Sequence, residues 1–209
     1  MKKEKKIGLM GGTFDPIHIG HLEIAGYALT EFSLDGVWFM PTGNSYHKGK
    51  QAVSTEHRSA MVRTAIADYP AFSFCDAEVR RDGPTYTADT LRELTQSCPG
   101  IRFYYMVGAD SLDYMDRWYK PQIIFDLAVI LVAGRNTQTD SELASKIRAL
   151  TEQFHADIRP IHGNVLSVSS SEIRARLENG QDVNGLIPES VAAYIHTNGL
   201  YRPISVQTD

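Results

Sequence analysis

A pair of adjacent glycines, a carboxylate and two imidazoles crowd into one short stretch near the start of the chain, Gly11-Gly12-Thr13-Phe14-Asp15-Pro16-Ile17-His18-Ile19-Gly20-His21. These residue types in this order suit the binding of phosphate. Gly11 and Gly12 lack a Cβ, so the backbone is expected to bend sharply out of a strand there and a polyphosphate can approach the main chain closely. The first amides of a following helix have no intrahelical partner and carry the positive end of the macrodipole, which favours an anion. His18 and His21, three apart, are expected on one helical face, where both can donate to the same phosphate. A metal site is the weaker reading of His18-x-x-His21, because no third and fourth ligand follows at zinc-finger or metalloprotease spacing. Two familiar phosphate loops are also excluded by residues. Nothing near Gly11 supplies the Lys-Ser/Thr end of a P-loop, and Gly8, Gly11 and Gly12 do not have the Gly-x-Gly-x-x-Gly spacing of a dinucleotide fingerprint.

The elements that must position these groups can be read from hydrophobic periodicity. Residues 6–10 predict a short buried strand, and Leu22, Ala25, Leu29 and Phe32 mark the apolar stripe of the helix after the turn. The alternation then continues. Strands are expected at 36–40, from 72, at 102–107 and at 128–132, and helices at 55–67, at 87–97 and around Leu143, Ile147, Leu150 and Phe154. Helices at 169–177 and 188–196 are each followed by a glycine stop, Gly180 and Gly199. This is the pattern of an α/β doubly wound parallel sheet, in which ligands sit beyond the carboxyl ends of the strands. The glycine-rich turn falls there.

Composition bounds the class. The 209 residues suffice for one domain with a full core, with residues of about 165–203 expected as a small C-terminal helical part. Hydrophobic residues at 43% and charged residues at 22% are globular values, and a formal charge of −4 argues against a nucleic-acid-binding surface. Cys75 and Cys98 stand far apart and outside any Cys-x-x-Cys, so neither a disulfide framework nor a redox motif is suggested. The apolar run at 127–133 is too short to cross a bilayer, and the lysines near the start are not followed by an uninterrupted apolar segment of a secretory signal. A cytoplasmic enzyme with no membrane partner is the expectation.

Further motifs lie along the chain. Val168-Ser169-Ser170-Ser171-Glu172-Ile173-Arg174 combines a serine cluster with an arginine at a helix start, and Ser169-x-x-Glu172 alone is also an ordinary capping box. Between the two ends come Gly83-Pro84-Thr85-Tyr86-Thr87-Ala88-Asp89-Thr90-Leu91, then Val107-Gly108-Ala109-Asp110-Ser111-Leu112 and Trp118-Tyr119-Lys120. Each has a plain structural reading: Thr87 as a helix N-cap, Trp118 as a half-buried aromatic, Asp110 as a solvated loop aspartate. Taken together and in this order, they resemble the His-x-Gly-His nucleotidyltransferase superfamily, and within it the bacterial nicotinate mononucleotide adenylyltransferases, over about residues 6–202. The serine-arginine segment is similar to that superfamily's Ile-Ser-Ser-Thr-x-Ile-Arg motif.

The resemblance implies a Rossmann-like sheet and transfer of AMP from ATP to the 5′-phosphate of nicotinate mononucleotide, with Mg²⁺ accompanying ATP and with a homodimer compatible with the family. His18, His21 and Arg174 would be the catalytic groups. Gly11, Gly12, Thr13, Phe14, Gly108, Asp110, Ser169, Ser170 and Ser171 would join them in holding ATP. The acceptor would meet Lys48, Tyr86, Thr87, Tyr114 and Trp118. Where relatives have Pro-Pro-His-Lys, this chain has Ser45-Tyr46-His47-Lys48, which gives the loop more conformational freedom before binding. No arginine is visibly assigned to a nicotinate carboxylate, so amides near Tyr86 and Thr87 with the Thr87 hydroxyl are the candidate donors. Two other readings stay open: a related transferase acting on nicotinamide mononucleotide, phosphopantetheine or a polyol phosphate, and a nucleotide-binding sensor without turnover. No protein ligand set for a metal is expected.

Overall fold

The computed structural model describes residues 4–45, 53–134 and 140–201. Lys48, the expected contact for the acceptor phosphate, lies outside the described residues. The chain begins with β1 (Lys5–Gly12), α1 (Ile19–Glu31), β2 (Gly36–Pro41), the short β3 (Asn44–Ser45), α2 (Thr55–Ile66) and β4 (Phe72–Phe74). It continues through the short β5 (Pro84–Thr85), α3 (Thr87–Ser97), β6 (Ile101–Gly108), two 3₁₀ turns (Ala109–Asp113 and Met115–Arg117), α4 (Pro121–Leu127) and β7 (Ala128–Ala133). The final elements are α5 (Asp140–Phe154), β8 (Ile158–Ile161), α6 (Ser170–Glu178) and α7 (Glu189–Thr197).

The main sheet has six strands in the order β4-β2-β1-β6-β7-β8, and every pairing is parallel. Numbered along the chain, that order is 3-2-1-4-5-6, the doubly wound arrangement of the Rossmann fold. Its cause is visible in the strand sequences. The central strands are apolar on both faces because helices cover both, as a parallel sheet requires. Met10, Phe39, Tyr104, Met106, Val129 and Leu131 join α1, α2, α6 and α7 in one core. The alternate residues Leu9, Met40, Phe103, Tyr105, Val107, Ile130 and Val132 pack with α3, α4 and α5 in the other.

The predicted strands and helices agree with these elements to within a residue or two at most ends. Gly180 and Gly199 do adopt positive φ, 66° and 57°, at the ends of α6 and α7. Six short elements were not predicted, the two-residue strands β3 and β5 among them. Helix α4 is seven residues long, too short for a helical period to show, and its Leu127 had been grouped with the strand that follows. The 3₁₀ turns after β6 lack any apolar repeat, and β8, four residues with the pattern buried-exposed-intermediate-buried, is too brief to stand out.

The glycine-rich turn forms differently from expectation. Gly11 and Gly12 are still in β1 and neither has positive φ; the bend comes at Phe14, whose φ is 51°, ahead of a cis Asp15-Pro16 peptide. The glycines are required by close approach instead. A Cβ on Gly11 would come 2.8 Å from the Tyr105 hydroxyl, and one on Gly12 would come 3.1 Å from the Phe14 ring.

A second close approach supports the turn from below. The Gly43 carbonyl oxygen accepts from the fully buried Arg58, and a Cβ at Gly43 would lie 2.5 Å from the main-chain oxygen of Glu78, which cannot yield as a flexible side chain would. Gly43→Ala is therefore expected to lower unfolding free energy by about 1 to 3 kcal/mol. Denaturant titration of the two proteins checks this, and equal midpoints would remove the steric argument.

Candidate active site

β1 and β6 are neighbours, yet the chain leaves them toward opposite edges of the sheet, so the loops after their carboxyl ends diverge. A cleft of about 950 Å³ opens at that point. Its floor is residues 10–12 from the end of β1 and 106–108 from the end of β6; its far wall is residues 165–171, leading into α6.

At the floor, the N-terminus of α1 carries the two imidazoles. His18 is its N-cap, and the His18 backbone N–H donates to Nδ1 of His21 at 3.2 Å. A backbone amide can only donate, so Nδ1 of His21 accepts and the ring's proton sits on Nε2. The His18 and His21 rings stack with centroids 3.6 Å apart, and the buried Phe14 ring meets His21 edge-on at 5.0 Å. Phe14 thus supports an imidazole from the core.

Residues 13–16 are shaped by donors from distant elements. The Arg58 guanidinium on α2 donates to the Thr13 carbonyl at 2.7 Å, Arg174 on α6 donates to the Asp15 carbonyl at 2.7 Å, and the Ser170 hydroxyl donates to the Pro16 carbonyl at 2.9 Å. The buried Asp15 carboxylate accepts from the Tyr201 hydroxyl at 2.6 Å. Burial lowers the pKa of Arg58 while the charge of Asp15 opposes that shift. Burial raises the Tyr201 phenol, and its bond to Asp15 adds to the rise, so it remains a donor.

The α6 end is built from the serine motif. Ser169 is the N-cap and its hydroxyl accepts from the Glu172 amide at 3.1 Å. The reciprocal half of the expected capping box is replaced, since the Glu172 carboxylate accepts from Arg176 at 2.9 Å. Ser171 accepts from Arg174 at 3.2 Å, which orients the guanidinium along the helix start.

The other half of the cleft is aromatic. Tyr114 and Trp118, from the 3₁₀ turns after β6, have ring centroids 6.2 Å apart; Trp118 also meets Tyr105 edge-on at 6.4 Å, and Tyr86 packs on Tyr119 at 4.5 Å. Tyr86 is the N-cap of α3 and Thr87 its first residue, so the Thr87 hydroxyl serves no capping role and instead lies 3.5 Å from the Tyr105 hydroxyl. Burial pushes the Tyr105 phenol up to about 12, aided by the nearby charge of Glu78. Glu78, 4% exposed, accepts from the Thr90 hydroxyl at 3.0 Å, and burial pushes its carboxyl up.

Gly11, Gly12, Thr13, Phe14, His18, His21, Gly108 and Asp110 all line this cleft, as do Ser169, Ser170, Ser171 and Arg174 from α6 and Tyr86, Thr87, Tyr114 and Trp118 at its aromatic end. Sequence reasoning missed Glu78, Tyr105 and the loop-shaping Arg58 and Tyr201. Tyr105 sits inside a strand whose apolar run hid it, whereas Arg58 reads from the sequence as one more solvated helix charge.

Among the described residues, no group of three or more His, Cys, Asp and Glu is placed to hold a metal, and no helix is long and apolar enough to cross a membrane. A family model described as cytidylyltransferase-like matches residues 9–176. The chain is 39% identical over 198 residues to a probable nicotinate-nucleotide adenylyltransferase of Lachnoclostridium phytofermentans, covering 94% of this chain and 99% of that one. It is 41% identical over 201 residues to a protein of the same description from Dehalococcoides mccartyi, covering 94% and 97%. Its fold matches the Plasmodium falciparum nicotinic acid mononucleotide adenylyltransferase complexed with NaAD at a TM-score of 0.78 and 22% identity, over 94% of this chain and 97% of that chain. The strand order, the glycine turn facing an arginine-bearing helix, and a likeness that runs nearly end to end have one explanation: the chain belongs to the cytidylyltransferase-like family, on its nicotinate-nucleotide adenylyltransferase branch.

Proposed function

We propose that the protein transfers AMP from ATP to the 5′-phosphate of nicotinate mononucleotide, releasing pyrophosphate and forming the acid dinucleotide precursor of NAD. The observation that carries this reading is the joining, in one cleft, of an imidazole-and-arginine end with an aromatic end. The first suits a triphosphate and the second a pyridine ring with its ribose. The relatives described as probable nicotinate-nucleotide adenylyltransferases agree with it, and so does the Plasmodium falciparum neighbour of the same fold, solved in complex with NaAD.

An oxygen of the acceptor phosphate attacks the α-phosphorus of ATP, the new P–O bond forms, and the bond to the β-phosphate oxygen breaks with its electrons leaving on pyrophosphate. The attacking oxygen is already ionised near neutral pH, so neither a protein nucleophile nor a strong base is needed, and positioning with charge stabilisation supplies the acceleration. Residues 11–13 approach the phosphates through the main chain. His21 offers Nε2–H, its tautomer set by the His18 amide, and His18 stacks beside it. Arg174 stands at the β/γ end as a permanent cation, oriented by Ser171 and the Asp15 carbonyl. Ser169 and Ser170 shape the helix start that faces the phosphates, and Asp110 and Gly108 close the floor near the ribose. A Cβ on Gly108 would meet nothing within 4 Å, consistent with space reserved for a ligand.

Mg²⁺ belongs in this reading to ATP. The described residues offer no carboxylate cage for it, and when bound with the nucleotide it would neutralise phosphate charge. The chain acts as one catalytic unit, since Ile173 of α6 and Val191 and Ile195 of α7 share a core with Met10 and Phe14. A cytoplasmic setting follows from the substrates. Trp118 stacks on the pyridine, Tyr114 and Tyr86 flank it, and the Thr87 hydroxyl with the first amides of α3 receives the carboxylate. Lys48 is assigned to the acceptor phosphate on the motif alone.

His18→Ala should reduce kcat by the equivalent of about 2 to 4 kcal/mol while changing ATP affinity far less, the mark of a group that acts chiefly in the transition state. Steady-state kinetics and ATP titration of the variant check this, and undiminished turnover removes His18 from the reaction. Turnover with nicotinate mononucleotide should also exceed that with nicotinamide mononucleotide. A kcat/KM higher for the amide overturns the substrate assignment.

A further inference from the structure

Tyr201 is remote in sequence from every motif of the site, yet its hydroxyl makes a buried 2.6 Å hydrogen bond to Oδ1 of Asp15 across a separation of 186 residues. Its backbone has a φ of 53°, an uncommon conformation for a residue with a Cβ, reached just after the Gly199 turn that ends α7. The ring is 8% exposed and belongs to the core that includes Phe14, Ile17 and Val191. Asp15 faces two ways. Its side chain takes the Tyr201 hydroxyl from the core side, and its carbonyl takes the Arg174 guanidinium from the cleft side. The buried Arg58 lies close enough for the charge of Asp15 to act on it, and it fixes the neighbouring Thr13 carbonyl.

The geometry points to Tyr201 as a positioning residue for the adenylyl transfer: its hydroxyl fixes the Asp15 side chain, and Asp15, through its carbonyl, sets where Arg174 stands at the triphosphate end of the cleft. The role given to Arg174 rests on the function proposed above. Tyr201 touches no substrate. It acts on ATP because its hydroxyl anchors the 13–16 loop to the core, and without that anchor the loop backbone holds the guanidinium less firmly in its place beside Ser171.

The test is a double-mutant cycle read in ATP binding by titration calorimetry and in turnover. Tyr201→Phe keeps the ring and removes the hydroxyl; it should weaken ATP binding and raise KM for ATP about tenfold, leaving KM for nicotinate mononucleotide within about twofold of the unaltered protein. In an Arg174→Ala background the same change should leave the ATP dissociation constant unmoved, because the group through which Tyr201 acts is gone. A merely structural role would lower binding by the same factor in both backgrounds. That result overturns the proposal, as does full ATP affinity in Tyr201→Phe. Should the variant fail to fold, Asp15→Asn, which retains an accepting oxygen and the side-chain shape, should weaken ATP binding about threefold, again only when Arg174 is present; additive loss there also overturns it. If the unaltered protein binds ATP but does not adenylylate nicotinate mononucleotide, the proposed function falls while the coupling is still read in binding. A protein that does not bind ATP overturns both.

Discussion

The site depends on how one short loop satisfies its backbone. Residues 13–16 leave β1 and have no ladder to join, so the carbonyls of Thr13, Asp15 and Pro16 accept instead from Arg58, Arg174 and Ser170. Buried main-chain oxygens must find partners, and here every one of these partners is a side chain from α2 or α6. The loop has this shape only when those helices have docked. Since α6 enters the same core as β1 through Ile173, docking the helix and forming the phosphate end of the cleft are a single event.

The electrostatics follow from that arrangement. A chain with a formal charge of −4 is proposed to hold two anionic substrates, so positive potential must be local. The start of α1, with its two imidazoles, and the start of α6, with Arg174, converge on one cleft. Arg58 contributes differently. It is fully buried and its three donations go to Thr13, Gly43 and Thr55, so its charge serves the scaffold beneath the site, where Asp15 balances it.

Much of this was legible in the residues. The doubly wound sheet was readable because strands and helices each carried their own period, and the two ends of the phosphate site were readable because glycines, histidines and an arginine at helix starts have few other uses together. The rest failed for physical reasons. The bend was placed at Gly11 and Gly12 because glycine is the usual carrier of unusual backbone, whereas Phe14 adopts the positive φ and the glycines make room for Tyr105 and Phe14. The importance of Arg58, Glu78 and Tyr201 lies in long-range pairing, and no local pattern in a helix or a chain end encodes which distant carbonyl or carboxylate a side chain will meet. Helix α4 and strand β8 are shorter than the periods that would reveal them.

Tyr105 shows why the two halves of the cleft keep a fixed separation. Strand register pairs Leu9 with Tyr105 and Met10 with Met106, which brings the Tyr105 side chain diagonally under Gly11, the only kind of residue that leaves room for its hydroxyl. From there the hydroxyl reaches Thr87 at the start of α3, while the ring edge supports Trp118. One side chain thus spans from the phosphate turn to the aromatic pocket. In-line transfer tolerates little error in the distance between the attacking oxygen and the α-phosphorus. A spacing set by the hydrogen-bonded register of two central strands cannot drift without breaking the sheet, so the distance between the two halves of the cleft is fixed by the sheet itself.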